Sequence, residues 1–189
     1  HDGVLTMDFS FLDNLDKPVE RPIHPAALDL DALMKQCTLT RGRTSGPGGQ
    51  HRNKVETHIT IVHDPTGIEG QAGERRLAKE NQRVAIKRLR LNLATAHRVL
   101  VPDGEIRSEL WKSRCKNRKI VCAVRHDDFP SMLAEAMDVL EACGYDTRKA
   151  SVRLQCSGSQ LVRLLGDHPP ALAKFNDERR LRSMRPLKP

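Results

Sequence analysis

Aromatic residues are scarce: one Trp, one Tyr and four Phe among 189 residues. Any core must therefore be mostly aliphatic. No apolar run approaches the about 20 residues needed to cross a bilayer, so no membrane span is expected, and no signal peptide is visible. The five cysteines (Cys37, Cys115, Cys122, Cys143, Cys156) are odd in number and widely spaced, with no Cys-x-x-Cys pair. That pattern indicates neither a disulfide framework nor a zinc site, and it suits reduced thiols in a cytosolic protein. The eight histidines show no metal-ligand spacing. His58 and His63 fall on one strand at odd separation and point to opposite faces. There is no Gly-x-Ser-x-Gly elbow, no His-Glu-x-x-His and no Walker loop, so the familiar hydrolase and nucleotidase constellations are missing. No internal repeat stands out, and no cofactor is called for.

What is present is positive charge and one unusual loop. The formal net charge of +8 favours a polyanionic partner, nucleic acid before membrane. Thr44-Ser45-Gly46-Pro47-Gly48-Gly49-Gln50-His51-Arg52-Asn53-Lys54 puts three glycines and a proline within four positions, which no helix or strand tolerates. Gly48-Gly49 lets the main chain approach another molecule closely. Gln50 adds an amide with one acceptor and two donors. His51, Arg52 and Lys54 form a cationic stem beneath this tip. Such a loop suits a reacting centre attached to a polyanion.

Around the loop the sequence predicts an α+β fold: a small mixed, mainly antiparallel sheet packed by a long basic helix, with a helical C-terminal appendage. Residues 1–28, with Pro18, Pro22 and Pro25, read as an extended arm; His1 to Thr6 are left out of the fold. Residues 29–126 form the loop-bearing domain, residues 127–176 the appendage and residues 177–189 a basic tail. Asp29 or Asp31 caps a short helix through Lys35 that buries Leu30, Leu33 and Met34. Cys37 to Arg43 suits a strand leading into the loop. Val55 to Val62 is a second strand, with Val55, Thr57, Ile59 and Ile61 on one face. Asp64-Pro65-Thr66-Gly67 is a β-turn, and Ile68 to Ala72 returns antiparallel.

Glu74 to about His97 reads as a long helix with Leu77, Val84, Ile86, Leu89, Leu91 and Leu93 on its apolar side. Arg75, Arg76, Lys79, Arg83, Lys87, Arg88 and Arg90 load the rest, against few acids. Unpaired arginines in such numbers look like phosphate contacts. Lys112, Arg114, Lys116, Arg118 and Lys119 form a second basic cluster beside Trp111, a residue placed in the core rather than stacked on a base. Ile120 to Val124 reads as a buried last strand of the sheet. A helix capped by Asp127 or Asp128 carries Leu133, Ala136, Met137 and Leu140 inward and ends at Gly144. Thr147–Leu154 and Ser159–Leu165 then flank a tight turn, as in a helix-turn-helix, with Gln155 where the turn glycine usually stands. The end from Arg179 to Lys188 reads as a basic tail, against the plainer alternative of a solvated, disordered end.

The string Ser45-Gly46-Pro47-Gly48-Gly49-Gln50-His51 with Asn53-Lys54, then His63-Asp64-Pro65-Thr66-Gly67-Ile68, Glu74-Arg75-Arg76, Asn81, Ala85 and Leu89-Arg90, resembles the catalytic domain of class I peptide chain release factors. The likeness covers roughly Leu30 to Leu93. It implies a loop that enters the peptidyl transferase centre of the ribosome's 23S rRNA and helps water attack the ester of P-site peptidyl-tRNA. By the resemblance, Gly48, Gly49 and Gln50 are the catalytic residues, and Gln50 is a candidate for side-chain methylation by a glutamine methyltransferase. His51, Arg52 and Lys54, with Ser45 and Asn53, would hold the loop or touch RNA. Arg52 stands where the commonest family pattern has an apolar residue. Arg75, Arg76, Arg83 and Arg88 on the helix, and Arg179, Arg180, Arg182 and Arg185 in the tail, are the further RNA contacts expected.

A glutamine amide does not titrate near neutrality, so Gln50 must act by position. It would order a water, or offer its backbone N–H to the oxyanion of a tetrahedral intermediate. The chain has no Ser-Pro-Phe or Pro-x-Thr codon-reading string and no room for a codon-reading domain. The expected activity is therefore codon-independent peptidyl-tRNA hydrolysis by a monomer that rescues stalled ribosomes, with the basic tail offered to an empty mRNA channel. One alternative is a non-catalytic nucleic-acid-binding protein that uses the helix-turn-helix-like segment. Another is a relative acting on peptidyl-tRNA in a split large subunit.

Overall fold

The structure, a computed structural model, describes residues 21–42 and 56–189. Among these the fold is α+β. A three-stranded antiparallel sheet is built from β1 (Cys37–Gly42), β2 (His58–His63) and β3 (Ile68–Ala72), in that order. The alternation read from the sequence holds in β2, where Ile59, Ile61 and His63 are buried between half-buried neighbours. His63 therefore faces inward and His58 does not. The His63 ring is satisfied there: its Nε2 lies 3.0 Å from Gln36 Oε1 and its Nδ1 2.8 Å from Thr66 Oγ1. Burial keeps this imidazole below its ordinary pKa. The 64–67 turn closes with Gly67 N–H donating to the His63 carbonyl at 2.8 Å and Gly67 at φ +68°, a conformation that favours glycine.

The long helix α2 (Ala78–Ala96) lies across the sheet. It begins four residues later than the sequence suggests, because the Asn81 side chain ties up the backbone of Arg75 and holds residues 74–77 out of the helix. Its inward stripe is also narrower than expected. Asn81, Ala85, Leu89 and Leu93, spaced by four, are buried with Ala94; Val84, Ile86 and Leu91 are half-buried and Leu77 is exposed. The small side chain of Ala85 and the missing one of Gly70 let helix and sheet approach closely: a Cβ on Gly70 would lie 2.3 Å from Leu89 N and 2.4 Å from the Ala85 carbonyl oxygen.

Before the sheet, a 3₁₀ turn (Pro25–Ala27) buries Ala26, so residues 21–28 are not simply an extended arm. Helix α1 (Leu30–Met34) is capped by Asp29, whose Oδ1 accepts from Ala32 N–H at 2.8 Å. It buries Leu33, but Leu30 is 49% exposed, a departure from the expected inward trio. Helix α3 (Glu109–Arg114), capped by Ser108, buries Trp111, whose indole N–H donates to the Leu154 carbonyl at 2.9 Å. The Trp is core, as its neighbours suggested. The strand expected over 120–124 does not join the sheet. Instead β4 (Cys115–Lys116) and β5 (Lys119–Ile120) make a separate two-stranded hairpin. Only Ile120 and Cys122 of that segment are buried, and Val121 is 66% exposed. Its apolar run misled because β4 and α6, not the three-stranded sheet, supply its cover.

Helix α4 (Phe129–Ala142) is buried from Phe129 to Leu140 except at half-buried Ser131. It packs on α2 and on α3, α5 and α6, so one continuous apolar core runs from Ala26 to Phe175. It ends in a Schellman motif: Gly144 sits at φ +63°, and Tyr145 N–H donates to the Leu140 carbonyl. Helices α5 (Thr147–Arg153) and α6 (Gly158–Gly166) follow, each with a side-chain cap from Asp146 or Ser157. Between them Gln155 adopts φ +50°, the left-handed conformation that the sequence position called for. Its Oε1 accepts from Arg107 Nη1 at 2.6 Å.

Helix α7 (Pro169–Leu181) carries the chain past the expected start of the tail at residue 177. Ser183 at φ +57° then reverses the chain, and Met184 N–H donates to the Arg179 carbonyl. The returning end is held by Asn176: its Oδ1 accepts from Leu187 N–H at 2.8 Å and its Nδ2 donates to the Leu187 carbonyl at 2.9 Å. The C-terminal segment is thus docked on α7 rather than free in solvent.

Two buried titratable groups oppose each other. Asp138 is 1% exposed, and burial pushes its carboxyl up to about 7 despite Arg21 Nη2 at 3.3 Å and the Val99 N–H. His24 is 4% exposed and burial pulls it down to about 4. Between these values the folded state keeps a proton on Asp138 that the unfolded chain releases, so this term loses stability as pH rises. Over the same window the unfolded chain protonates His24 and the folded state does not, so that term gains stability as pH rises. Asp138→Asn removes the first term alone. Its unfolding free energy is expected to climb with pH, between about pH 4.5 and 6.5, more steeply than the wild type's by about 1.4 kcal/mol per unit. Denaturant titrations at both pH values measure this, and parallel pH profiles for the two proteins would refute it.

Candidate functional site

The glycine loop, with Gly48, Gly49, Gln50, His51, Arg52 and Lys54, lies outside the described residues. Its root does not. β1 ends at Gly42 and β2 begins at His58, and these two residues are directly paired across the strands. The chain that leaves the sheet at residue 42 therefore returns to it at the adjacent backbone. This geometry follows from the sequence: two β-rich runs flank a stretch that cannot form a ladder.

The root is fastened to α2 by one side chain. Asn81 is fully buried. Its Nδ2 donates to the Thr57 carbonyl at 2.6 Å and to the Arg75 carbonyl at 3.0 Å, while its Oδ1 accepts from Arg75 N–H at 2.8 Å. One amide thus joins the last residues of the loop, the segment after β3 and the helix. It also brings Arg75 and Arg76 to the loop root. Sequence reasoning registered Asn81 only as part of a resemblance; the available signal was an amide on the buried stripe of a helix, where such a group must find partners. Asn81→Ala leaves the Arg75 N–H and two carbonyls without this partner. It is expected to cost about 2–3 kcal/mol and to lower the rate of any loop-dependent reaction more than it raises KM. Thermal unfolding and steady-state kinetics check both parts, and Asn81→Asp, which keeps only the acceptor, should recover part of the stability.

The expected cationic contacts fall into two groups. Arg75, Arg76, Lys79 and Arg83 are exposed, and among the described residues none has an ion-pair partner. Arg88 is different. It pairs with Glu74 at 2.7 Å and donates to the Gln71 carbonyl, and Glu74 is held below the usual carboxylate range by backbone N–H donors and this arginine. Arg90, half-buried, donates to the Ala26 carbonyl, and burial lowers its pKa. Lys87 donates to the Arg125 carbonyl. The free cations thus lie at the N-terminal end of α2, nearest the loop root, and those further along are engaged internally.

The C-terminal arginines form a separate group. Arg179 donates to the carbonyls of Tyr145 and Arg185. Arg180 pairs with Asp177. Arg182 pairs with Glu178 and lies 4.6 Å above the Tyr145 ring. Of the four, Arg185 keeps an exposed side chain without an ion pair among the described residues. All five cysteines are unpaired. Among the described residues no group of three or more His, Cys, Asp or Glu is placed to hold a metal, and no helix is long and apolar enough to cross a membrane.

Chemically, the described part of the site offers a rigid antiparallel root, an amide clamp and a cluster of unpaired cations. It offers no nucleophile–base pair.

Comparison with known proteins bears on the same half of the chain. The model of the RF-1 domain matches residues 28–128. The mitochondrial peptide chain release factor 1-like protein of Mus musculus is 36% identical over 73 residues, 39% of this chain and 20% of that protein. Peptide chain release factor 2 of Variovorax paradoxus is 38% identical over 79 residues, covering 42% and 19%. Peptide chain release factor 1 of Xylella fastidiosa is 36% identical over 83 residues, covering 44% and 20%. The chain spans about a fifth of the length of these curated relatives.

Proposed function

Because this chain belongs to the RF-1 domain family, we propose that it releases peptide on the ribosome, by hydrolysis of the ester that joins a nascent peptide to P-site tRNA. The observation that carries the reading is the Gly48-Gly49-Gln50 loop on a strand-paired root flanked by unpaired Arg75 and Arg76. Gly48 and Gly49 allow the main chain close approach. Gln50 orients the attacking water or gives its backbone N–H to the developing oxyanion. The ribosomal RNA of the peptidyl transferase centre supplies the rest of the site. His51, Arg52 and Lys54, with Arg75, Arg76 and Arg83, hold the loop against RNA phosphates. A glutamine methyltransferase acting on Gln50 fits the same reading.

The finer proposal is that release does not depend on a stop codon. These residues contain no Ser-Pro-Phe or Pro-x-Thr string, and the helices after residue 128 pack into the same core as the matched region. The test is peptide release from ribosomes stalled on truncated message, beside ribosomes paused at a sense codon and at a stop codon. Release from the truncated complex at least as fast as from the stop-codon complex is expected. Release confined to the stop codon would overturn codon independence and leave the hydrolytic reading intact.

A further inference from the structure

The β4–β5 hairpin plays no part in the reaction above. From Leu110 to His126 the chain holds six Lys and Arg and no acidic residue. Lys112 and Arg114 are paired with Glu109 and Asp128. Lys116, Arg118 and Lys119 are exposed, and none of the three has an ion-pair partner among the described residues. Lys116 and Lys119 are directly opposite each other across the two strands, an arrangement of like charges that destabilises a hairpin unless an anion answers it. Asn117 and Arg118 both have positive φ, +50° and +62°, as a two-residue mirror-image type I turn requires. Glycine would relax the second position; arginine there costs about 1–2 kcal/mol.

The hairpin is nevertheless held firmly. Ser157 N–H donates to the Arg118 carbonyl at 3.2 Å, Val121 N–H to the Arg114 carbonyl at 2.7 Å and Ile120 N–H to Gln160 Oε1 at 3.1 Å. Arg118 Nη2 approaches the Cys156 carbonyl at 3.5 Å, and the residue stays exposed. Three cations are therefore presented on a fixed backbone.

We propose that this hairpin is a second contact for a polyanion, the sugar–phosphate backbone of duplex RNA. The chemistry at hand is charge alone, which positions a nucleic acid without reading it. Trp111 is buried and its N–H is spent on Leu154, so the indole beside this cluster is not offered for stacking the bases of a single strand. Gln160 and Arg163 of α6 reach the N–H and carbonyl of Ile120, so these two side chains are engaged by the hairpin rather than offered to base edges in DNA. The choice of RNA over DNA rests on the peptide-release reading above.

The experiment is fluorescence anisotropy of the full chain with a labelled RNA duplex and a labelled DNA duplex of the same sequence, across a salt series without ribosomes. Lys116→Gln/Arg118→Gly/Lys119→Gln is expected to reduce the slope of log K against log salt by two to three, about one for each phosphate that is no longer neutralised. Arg118→Gly creates an Asn-Gly turn, so this variant should unfold at or above the wild-type temperature. A slope unchanged in the folded triple variant, no binding of duplex RNA by the wild type, or a preference for the DNA duplex would each overturn the assignment. Gln50→Ala, carried in parallel, should bind the duplex as the wild type does and fail in peptide release. Loss of release with an unaltered hairpin slope would sink only the hairpin proposal. Release indifferent to Gln50, with the slope reduced, would sink only the hydrolytic reading.

Discussion

Gln50→Ala is expected to lower ribosome-dependent peptide release by about two to three orders of magnitude while leaving ribosome binding intact. An amide neither titrates near neutrality nor attacks an ester, so its whole contribution is geometric: an ordered water or a correctly aimed N–H. Removing such a donor removes stabilisation made only in the transition state, and the loss appears in the rate of the chemical step. On the proposed reading binding is carried by cations, and exposed Arg75, Arg76, Lys79 and Arg83 are untouched by the change. Single-turnover release from stalled ribosomes, beside a pelleting assay, separates the two quantities. Wild-type rates with Gln50→Ala would remove Gln50 from the mechanism. Gly49→Ala should act in the same direction, because a Cβ restricts the backbone angles and the close approach that the tip needs.

Gly70→Ala is expected to be the most damaging single-methyl change among the described residues. The added carbon would lie 2.3 Å from Leu89 N, 2.4 Å from the Ala85 carbonyl oxygen and 2.7 Å from Leu89 Cα. All three are backbone atoms in the middle of α2, so no rotamer change relieves the clash. The helix must move off β3, loosening the packing that runs through Ala85, Leu89 and Leu93. A loss of about 2–4 kcal/mol is expected, at or above the top of the usual range for overpacking, which for a chain of this size lowers Tm by roughly 5–15 °C. Gly158→Ala is the control. A Cβ there meets nothing within 4 Å, and Gly158 opens α6, so alanine should be neutral or stabilising by up to about 1 kcal/mol. Equal Tm values for Gly70→Ala and the wild type would show that helix and sheet stand further apart than these distances. Because α2 also carries Asn81 and the free cations, partial displacement in Gly70→Ala should weaken release as well as stability.

Much of the local structure could be read from residue order. The hairpin β2–β3 was legible because period-two alternation in Ile59 and Ile61 and the Asp64-Pro65-Thr66-Gly67 turn agree with each other. Helix α4 was legible because Leu133, Ala136, Met137 and Leu140 repeat at helical spacing between a proline-marked start and Gly144. The start of α2 was not, because Glu74 to Leu77 have ordinary helical propensity and are held out of the helix by a side chain further along it. The strand expected at 120–124 failed for a related reason. A short apolar run says that a segment seeks cover, not which partner supplies it, and here β4 and α6 supply it. Arg88 and Arg179 looked like free phosphate contacts from charge alone. Their partners, Glu74 and the Tyr145 carbonyl, are distant enough in sequence that no pattern predicts the pairing.

The order of residues alone determined the make-up of the loop and the basic character of this chain, since glycine, amide and charge are properties of the residues themselves. It also determined the period-matched elements, because hydrophobic spacing is a local signal. The tertiary structure alone decided which cations stay free, how closely α2 approaches Gly70, and that the C-terminal segment docks through Asn176. Each of these depends on atoms far apart along the chain meeting within a few ångströms, and that information resides in packing rather than in any window of sequence.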